Sequence, residues 1–101
     1  MNQILSKNDH ISVYALVIYD IQNDKLRDKF AKMMEGFGYR VQYSAFEVYL
    51  SVKKFNSLLK QIPKNMDPNI DSVRVYVLRA DGKFIFFGQN IHIEKNDLII
   101  L

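Results

Sequence analysis

Apolar positions along the chain change their period repeatedly, and each change marks an element. Val13-Tyr14-Ala15-Leu16-Val17-Ile18-Tyr19 is continuously apolar and rich in β-branched and aromatic types. Such a run predicts a central strand buried on both faces. It stops at Asp20. Ile21-Gln22-Asn23-Asp24 reads as a turn in which Asn23 is placed to cap a helix. Leu26, Phe30, Met33, Met34 and Phe37 then recur at helical spacing, with Lys25, Asp28, Lys29, Lys32 and Glu35 on the other side. Gly36 or Gly38 ends this helix.

Residues 40–50 are strand-like, but their apolar parity switches. Val41, Tyr43 and Ala45 fall on one face, and Phe46, Val48 and Leu50 on the other. A bulge, a bend or a very tight hairpin near Ser44 would each produce that switch. A second helix follows, with Phe55, Leu58, Leu59 and Ile62 as its stripe, Ser51 as its cap and Pro63 as its stop. Residues 64–70 read as a loop. Val73, Val75 and Val77 alternate along a further strand, Asp81-Gly82 signals a hairpin, and Phe84 to Phe87 is the returning strand. The chain ends on Leu98-Ile99-Ile100-Leu101.

This order predicts an α+β fold: a ferredoxin-like β-α-β-β-α-β sandwich with an extra C-terminal strand, helices on one face of an antiparallel sheet. An apolar strand at a chain end is an aggregation hazard unless covered, so a homodimer is expected. The 101 residues make one domain, residues 11–101, preceded by a polar arm over residues 1–10 that is expected to be flexible. Composition is globular, with 49% hydrophobic and 25% charged residues, which excludes a disordered or low-complexity chain. The absence of cysteine excludes a disulfide scaffold, thiolate zinc sites and a cysteine nucleophile. No segment reaches the roughly 18 apolar residues of a membrane helix. No secretory signal precedes the domain, so no membrane partner and a cytoplasmic location are expected. Fourteen basic against eleven acidic residues give a net charge of +3. That permits a nucleic-acid partner without demanding one.

Asp20 is the first chemical candidate, because a carboxylate directly after a buried strand projects from a rigid edge. Asp24, Arg27 and Arg40 are candidates to lie near it. A hard cation such as magnesium is held by one or two carboxylates with waters and phosphates. One carboxylate per chain is a thin site, and a two-fold axis would bring a second Asp20. A turn or capping role for Asp20 remains the alternative. Lys25, Arg27, Lys29, Lys32, Arg40, Lys53, Lys54, Lys60 and Lys64, interleaved with aromatic residues, could hold phosphates or form an ordinary solvated face. Ser44 has no histidine placed to activate it, so a structural or phosphate-contacting role fits better than a nucleophile. His92-Ile93-Glu94 is no zinc spacing, and no phosphate-cradling glycine loop is present.

Three motifs together resemble those of the CRISPR-associated protein 2 family. Val17-Ile18-Tyr19-Asp20-Ile21 with Asp24-Lys25-Leu26-Arg27 resembles the opening motif, Arg40-Val41-Gln42-Tyr43-Ser44-Ala45-Phe46-Glu47 the second, and Asp71-Ser72-Val73-Arg74-Val75-Tyr76 the third. The resemblance covers about residues 11–101. It implies a ferredoxin-like homodimer joined in part by the C-terminal strand. It implies a role in CRISPR adaptation, in which the dimer bridges the CRISPR integrase and holds duplex DNA. It also implies a metal-dependent endonuclease, acting on single-stranded RNA or double-stranded DNA with magnesium or manganese. By motif position Asp20 matches the catalytic and metal-binding aspartate. Tyr19, Arg27, Arg40, Ser44 and Phe46 match positions associated with the site or with nucleic-acid contact. Lys29 stands where some members carry Arg, Ala45 where Val is usual and Asn23 where Asp is frequent.

Two functions follow from the resemblance. One is a nuclease whose Asp20 pair catalyses cleavage, with Arg27 and Arg40 stabilising charge on the phosphate oxygens. The other is a non-catalytic DNA-binding scaffold of the adaptation complex. A third reading, from the fold alone, is a module binding a small effector at its dimer interface.

Overall fold

The computed structural model describes residues 12–78, 84–88 and 98–100. Strand β1 (Ser12–Asp20) leads into helix α1 (Asp24–Glu35), then β2 (Gly38–Gln42) and β3 (Ala45–Ser51). Helix α2 (Val52–Gln61) continues into a 3-10 turn (Ile62–Asn65), followed by β4 (Ser72–Val77), β5 (Phe84–Gly88) and β6 (Leu98–Ile100). The strands form one sheet in the order β2-β3-β1-β4-β5-β6. Every neighbouring pair is antiparallel except β5 and β6, which are parallel. The first four strands of that order with the two helices are the expected ferredoxin-like arrangement, and β5 and β6 extend it. The last strand lies beside β5 of its own chain, pairing Leu98 with Phe84 and Ile100 with Phe86. The N-terminal arm, the Asp81-Gly82 turn and Ile91-His92-Ile93 fall outside the described residues, as does His10.

β1 is central, flanked by β3 and β4, but it is buried on one face only. Ala15, Val17 and Tyr19 are buried, whereas Leu16 and Ile18 are half-covered and Tyr14 is 40% exposed. The expectation of burial on both faces is therefore corrected. Both helices pack on the face of Ala15 and Val17, through Phe30, Ala31 and Met34 of α1 and Phe55 and Leu58 of α2. The opposite face carries Tyr14 beside Tyr49, Leu16 between Glu47 and Tyr76, and Ile18 between Ala45 and Arg74. An unbroken apolar run cannot reveal this, because tyrosine and branched residues suit a half-covered sheet as well as a buried one.

The local rules hold where they were specific. Asn23 caps α1, its Oδ1 accepting from Leu26 N at 2.9 Å. Gly36 closes it. Ser51 Oγ accepts from Lys54 N at 3.2 Å to start α2. Pro63 sits in the 3-10 turn that ends the helical segment. The parity switch has two causes acting together. Tyr43 and Ser44 form a two-residue turn closed by the Gln42–Ala45 pair, and a bulge at Val41 shifts the register between Arg40 and Gln42. Among the described residues no helix is long and apolar enough to cross a membrane.

Candidate nucleic-acid interface

The C-terminal end of β1 sends adjacent side chains to opposite sides of the sheet, as strand alternation requires. Tyr19 turns to the helix side and Asp20 to the open side.

On the helix side, the Tyr19 ring lies 4.7 Å from Phe30 and 6.2 Å from Phe46, centroid to centroid. Its backbone N–H donates to Ser44 O at 3.0 Å, and its hydroxyl donates to Tyr43 O at 3.4 Å. The β2–β3 turn is thereby tied to the end of β1. Burial pushes the Tyr19 hydroxyl above its ordinary pKa, against a smaller opposing pull from Arg40. Tyr19 thus stays a neutral donor at physiological pH.

Tyr19, Arg27, Asp28, Ala31, Arg40 and Tyr43 line a small notch at this corner. Its two guanidinium groups differ. Arg27 donates to Ile21 O at 3.0 Å and is paired with the Asp24 carboxylate. That hydrogen bond to Asp24 holds the guanidinium protonated even more firmly than usual. Arg40 has no carboxylate partner among the described residues. It lies 5.3 Å from the centre of the Phe46 ring, a cation–π contact. Asp24 thus offsets Arg27, Asp28 also lines the notch, and Arg40 is the guanidinium there without a carboxylate partner among the described residues.

On the open side, the exposed Asp20 carboxylate accepts from Gln22 Nε2 at 3.2 Å. Among the described residues no three His, Asp or Glu side chains group closely enough to hold a metal ion. Hard oxygen is the donor type that magnesium and manganese take, but each chain supplies one such carboxylate here. Farther along this face Tyr39 donates to Glu47 Oε1 at 2.9 Å, and Tyr14 packs edge-on against Tyr49 at 6.0 Å. The hydrogen bond to Glu47 raises the pKa of both Tyr14 and Tyr39.

The structure thus brings together Tyr19, Arg27, Arg40 and the turn bearing Ser44, and leaves Asp20 outside that notch. Phe46 is 0% exposed. Phe46, matched by motif position to the site or to nucleic-acid contact, has its ring in the core, where it supports Arg40 from below. Ser44 is half-buried and contributes its carbonyl to Tyr19. Sequence reasoning missed Asp71, a carboxylate 1% exposed that accepts from Gln22 N at 2.9 Å and from Asp67 N at 2.8 Å. The available signal was an acid placed just before a strand, which is also ordinary turn chemistry.

Residues 13–84 match a family model described as CRISPR associated protein Cas2. A Chloroflexus aurantiacus protein named CRISPR-associated endoribonuclease Cas2 3 is 40% identical over 68 residues, 67% of this chain and 73% of its own length. A Mycobacterium tuberculosis protein named CRISPR-associated endoribonuclease Cas2 is 33% identical over 87 residues, 86% of this chain and 76% of its own. The crystal structure of a hypothetical protein from Thermus thermophilus is similar with a TM-score of 0.65 at 31% identity, covering 69% of this chain and 85% of that one.

Proposed function

The chain belongs to the CRISPR-associated protein Cas2 family, and on that premise we propose that it is a cytoplasmic CRISPR adaptation protein. It works as a homodimer that holds duplex DNA, bridges the CRISPR integrase and hydrolyses phosphodiesters in RNA or DNA with magnesium or manganese. The observation that carries this reading is the Asp20 carboxylate, exposed at the end of the central strand on the sheet face opposite the two helices. A second copy apposed on that face adds a second Asp20 and covers the tyrosines. The two carboxylates would hold the cation, which when bound polarises a phosphate oxygen and acidifies a water. The chain's own groups do the rest. Gln22 donates to Asp20, Arg40 and Arg27 bind phosphate oxygens, and Tyr19 fixes the turn that frames the notch.

A second reading, the non-catalytic scaffold, is favoured by one observation. No acidic cluster is present in a single chain among the described residues. Wild-type protein and Asp20→Ala incubated with labelled RNA and duplex DNA, with magnesium or chelator, separate the two. Cleavage that needs metal and vanishes in the variant supports the nuclease. Binding without cleavage by either protein supports the scaffold, and cleavage retained by the variant refutes the role given to Asp20.

A further inference from the structure

Asp71 is an acid in a place that disfavours acids. It is 1% exposed, and no lysine, arginine or histidine pairs with it among the described residues. Its two oxygens are each satisfied by one backbone N–H, Gln22 N on Oδ1 and Asp67 N on Oδ2. A buried carboxylate is expensive to desolvate even when hydrogen-bonded, so stability alone is a poor reason for it.

Its two partners indicate another. Gln22 lies in the turn that leaves β1, and Asp67 in the loop that enters β4. Asp71 joins these two loops, and the joint reaches Asp20 by two routes. Gln22, its backbone pinned by Asp71, donates its side-chain amide to Asp20 Oδ1. Ser72, the next residue in the chain, is the strand partner of Asp20 in the β1–β4 ladder. A donor on Oδ1 leaves Oδ2 open.

We infer that Asp71 and Gln22 are positioning residues that orient the Asp20 carboxylate, committing Oδ1 to the Gln22 amide and presenting Oδ2 to a divalent cation. This rests on the reading of Asp20 as the cation ligand. Outer partners of metal-binding carboxylates typically change metal affinity or activity by about 10–100-fold when removed.

The test uses the full-length chain and the free-Mn2+ electron paramagnetic resonance signal, alongside steady-state cleavage. Gln22→Ala removes only an exposed amide and keeps the N–H that Asp71 accepts. It is expected to weaken Mn2+ binding about tenfold and lower kcat about tenfold, with KM for nucleic acid and the melting temperature near wild type. Asp71→Asn moves both readouts the same way and lowers the melting temperature as well. Wild-type Mn2+ affinity in Gln22→Ala overturns the inference. Asp20→Ala separates the two failures. If it binds Mn2+ and cleaves as wild type does, the reading of Asp20 fails and the inference with it. If it loses Mn2+ while Gln22→Ala keeps it, the inference alone fails. A chain that binds Mn2+ through Asp20 without cleaving is decided by the Mn2+ shift.

Discussion

Arg40 and Arg27 line the same notch, but their surroundings rank them as phosphate ligands. A phosphate reaching Arg27 competes with the Asp24 carboxylate and the Ile21 carbonyl for the same donors. One reaching Arg40 meets a guanidinium with no carboxylate partner among the described residues, seated on the Phe46 ring. Arg40→Ala therefore removes one phosphate contact per chain. Each such contact contributes about 0.7 to the salt slope on single strands and about 0.9 on duplex. At 0.1 M salt that corresponds to binding weakened about 5–8-fold, or roughly 1 kcal/mol. Arg40→Lys keeps a point charge, so the slope stays. It loses the flat stacking on Phe46, so affinity falls by about 0.5–1 kcal/mol. Arg27→Ala changes the slope less than Arg40→Ala does. Fluorescence anisotropy with labelled RNA and duplex DNA across about 50–200 mM salt reads all three variants. A wild-type slope in Arg40→Ala, with the whole loss appearing in Arg27→Ala, would refute this ranking.

Phe46→Ala is expected to cost about 3–5 kcal/mol of folding stability, because the ring is wholly buried, and thermal melts of the variant check it. A stable Phe46→Ala that merely bound less nucleic acid would return Phe46 to the interface. Gly88→Ala sets a residue at φ 99° with its Cβ driven into Asp71 O, where strand β5 passes Ser72. A loss of at least about 2 kcal/mol, or about 10 °C in melting temperature, is expected. Burial lifts the Tyr19 pKa above its ordinary 10.0, so the unfolded chain gives up that proton first. Stability from this group is complete below about pH 10 and is lost as pH rises through 10 toward the folded value. Tyr19→Phe should flatten that alkaline fall in denaturant titrations, and an identical fall in both proteins would exclude Tyr19 as its source.

The elements were legible because their signals are local. Asn23 and Ser51 carry side-chain oxygens that reach a backbone N–H three residues on, and Val73, Val75 and Val77 alternate without interruption. Which face of β1 the helices cover depends instead on packing between elements, and Leu16 and Ile18 look the same in sequence whether covered or not. Arg27 and Arg40 were expected beside Asp20, and they line a notch with Tyr19 instead. That Asp20 leaves their notch follows from alternation at a single residue, which becomes visible only once the strand is known to run through Asp20. Phe46 was linked to nucleic acid by motif position alone, and a motif match does not say whether a ring touches a ligand or supports, from the core, a side chain such as Arg40. Asp71 was read only as the first residue of the third motif, because its bond to Asp67 N is ordinary local turn chemistry and its bond to Gln22 N, far away in sequence, needs the fold to be seen.

β1 precedes both of its strand partners along the chain. Its ladder takes partners from β3 on one side and from β4 on the other, and the turn after Asp20 is fastened by Asp71. During synthesis at about 5–20 residues per second, several seconds separate the emergence of Asp20 from that of its strand partner Ser72. A nascent or truncated chain ending before β4 carries Tyr19, Asp20, Arg27 and Arg40 but lacks the strand that sets Asp20 and its turn in place. Assembly of this corner is thus timed by the second half of the chain, so fragments released early from the ribosome carry an unfinished site.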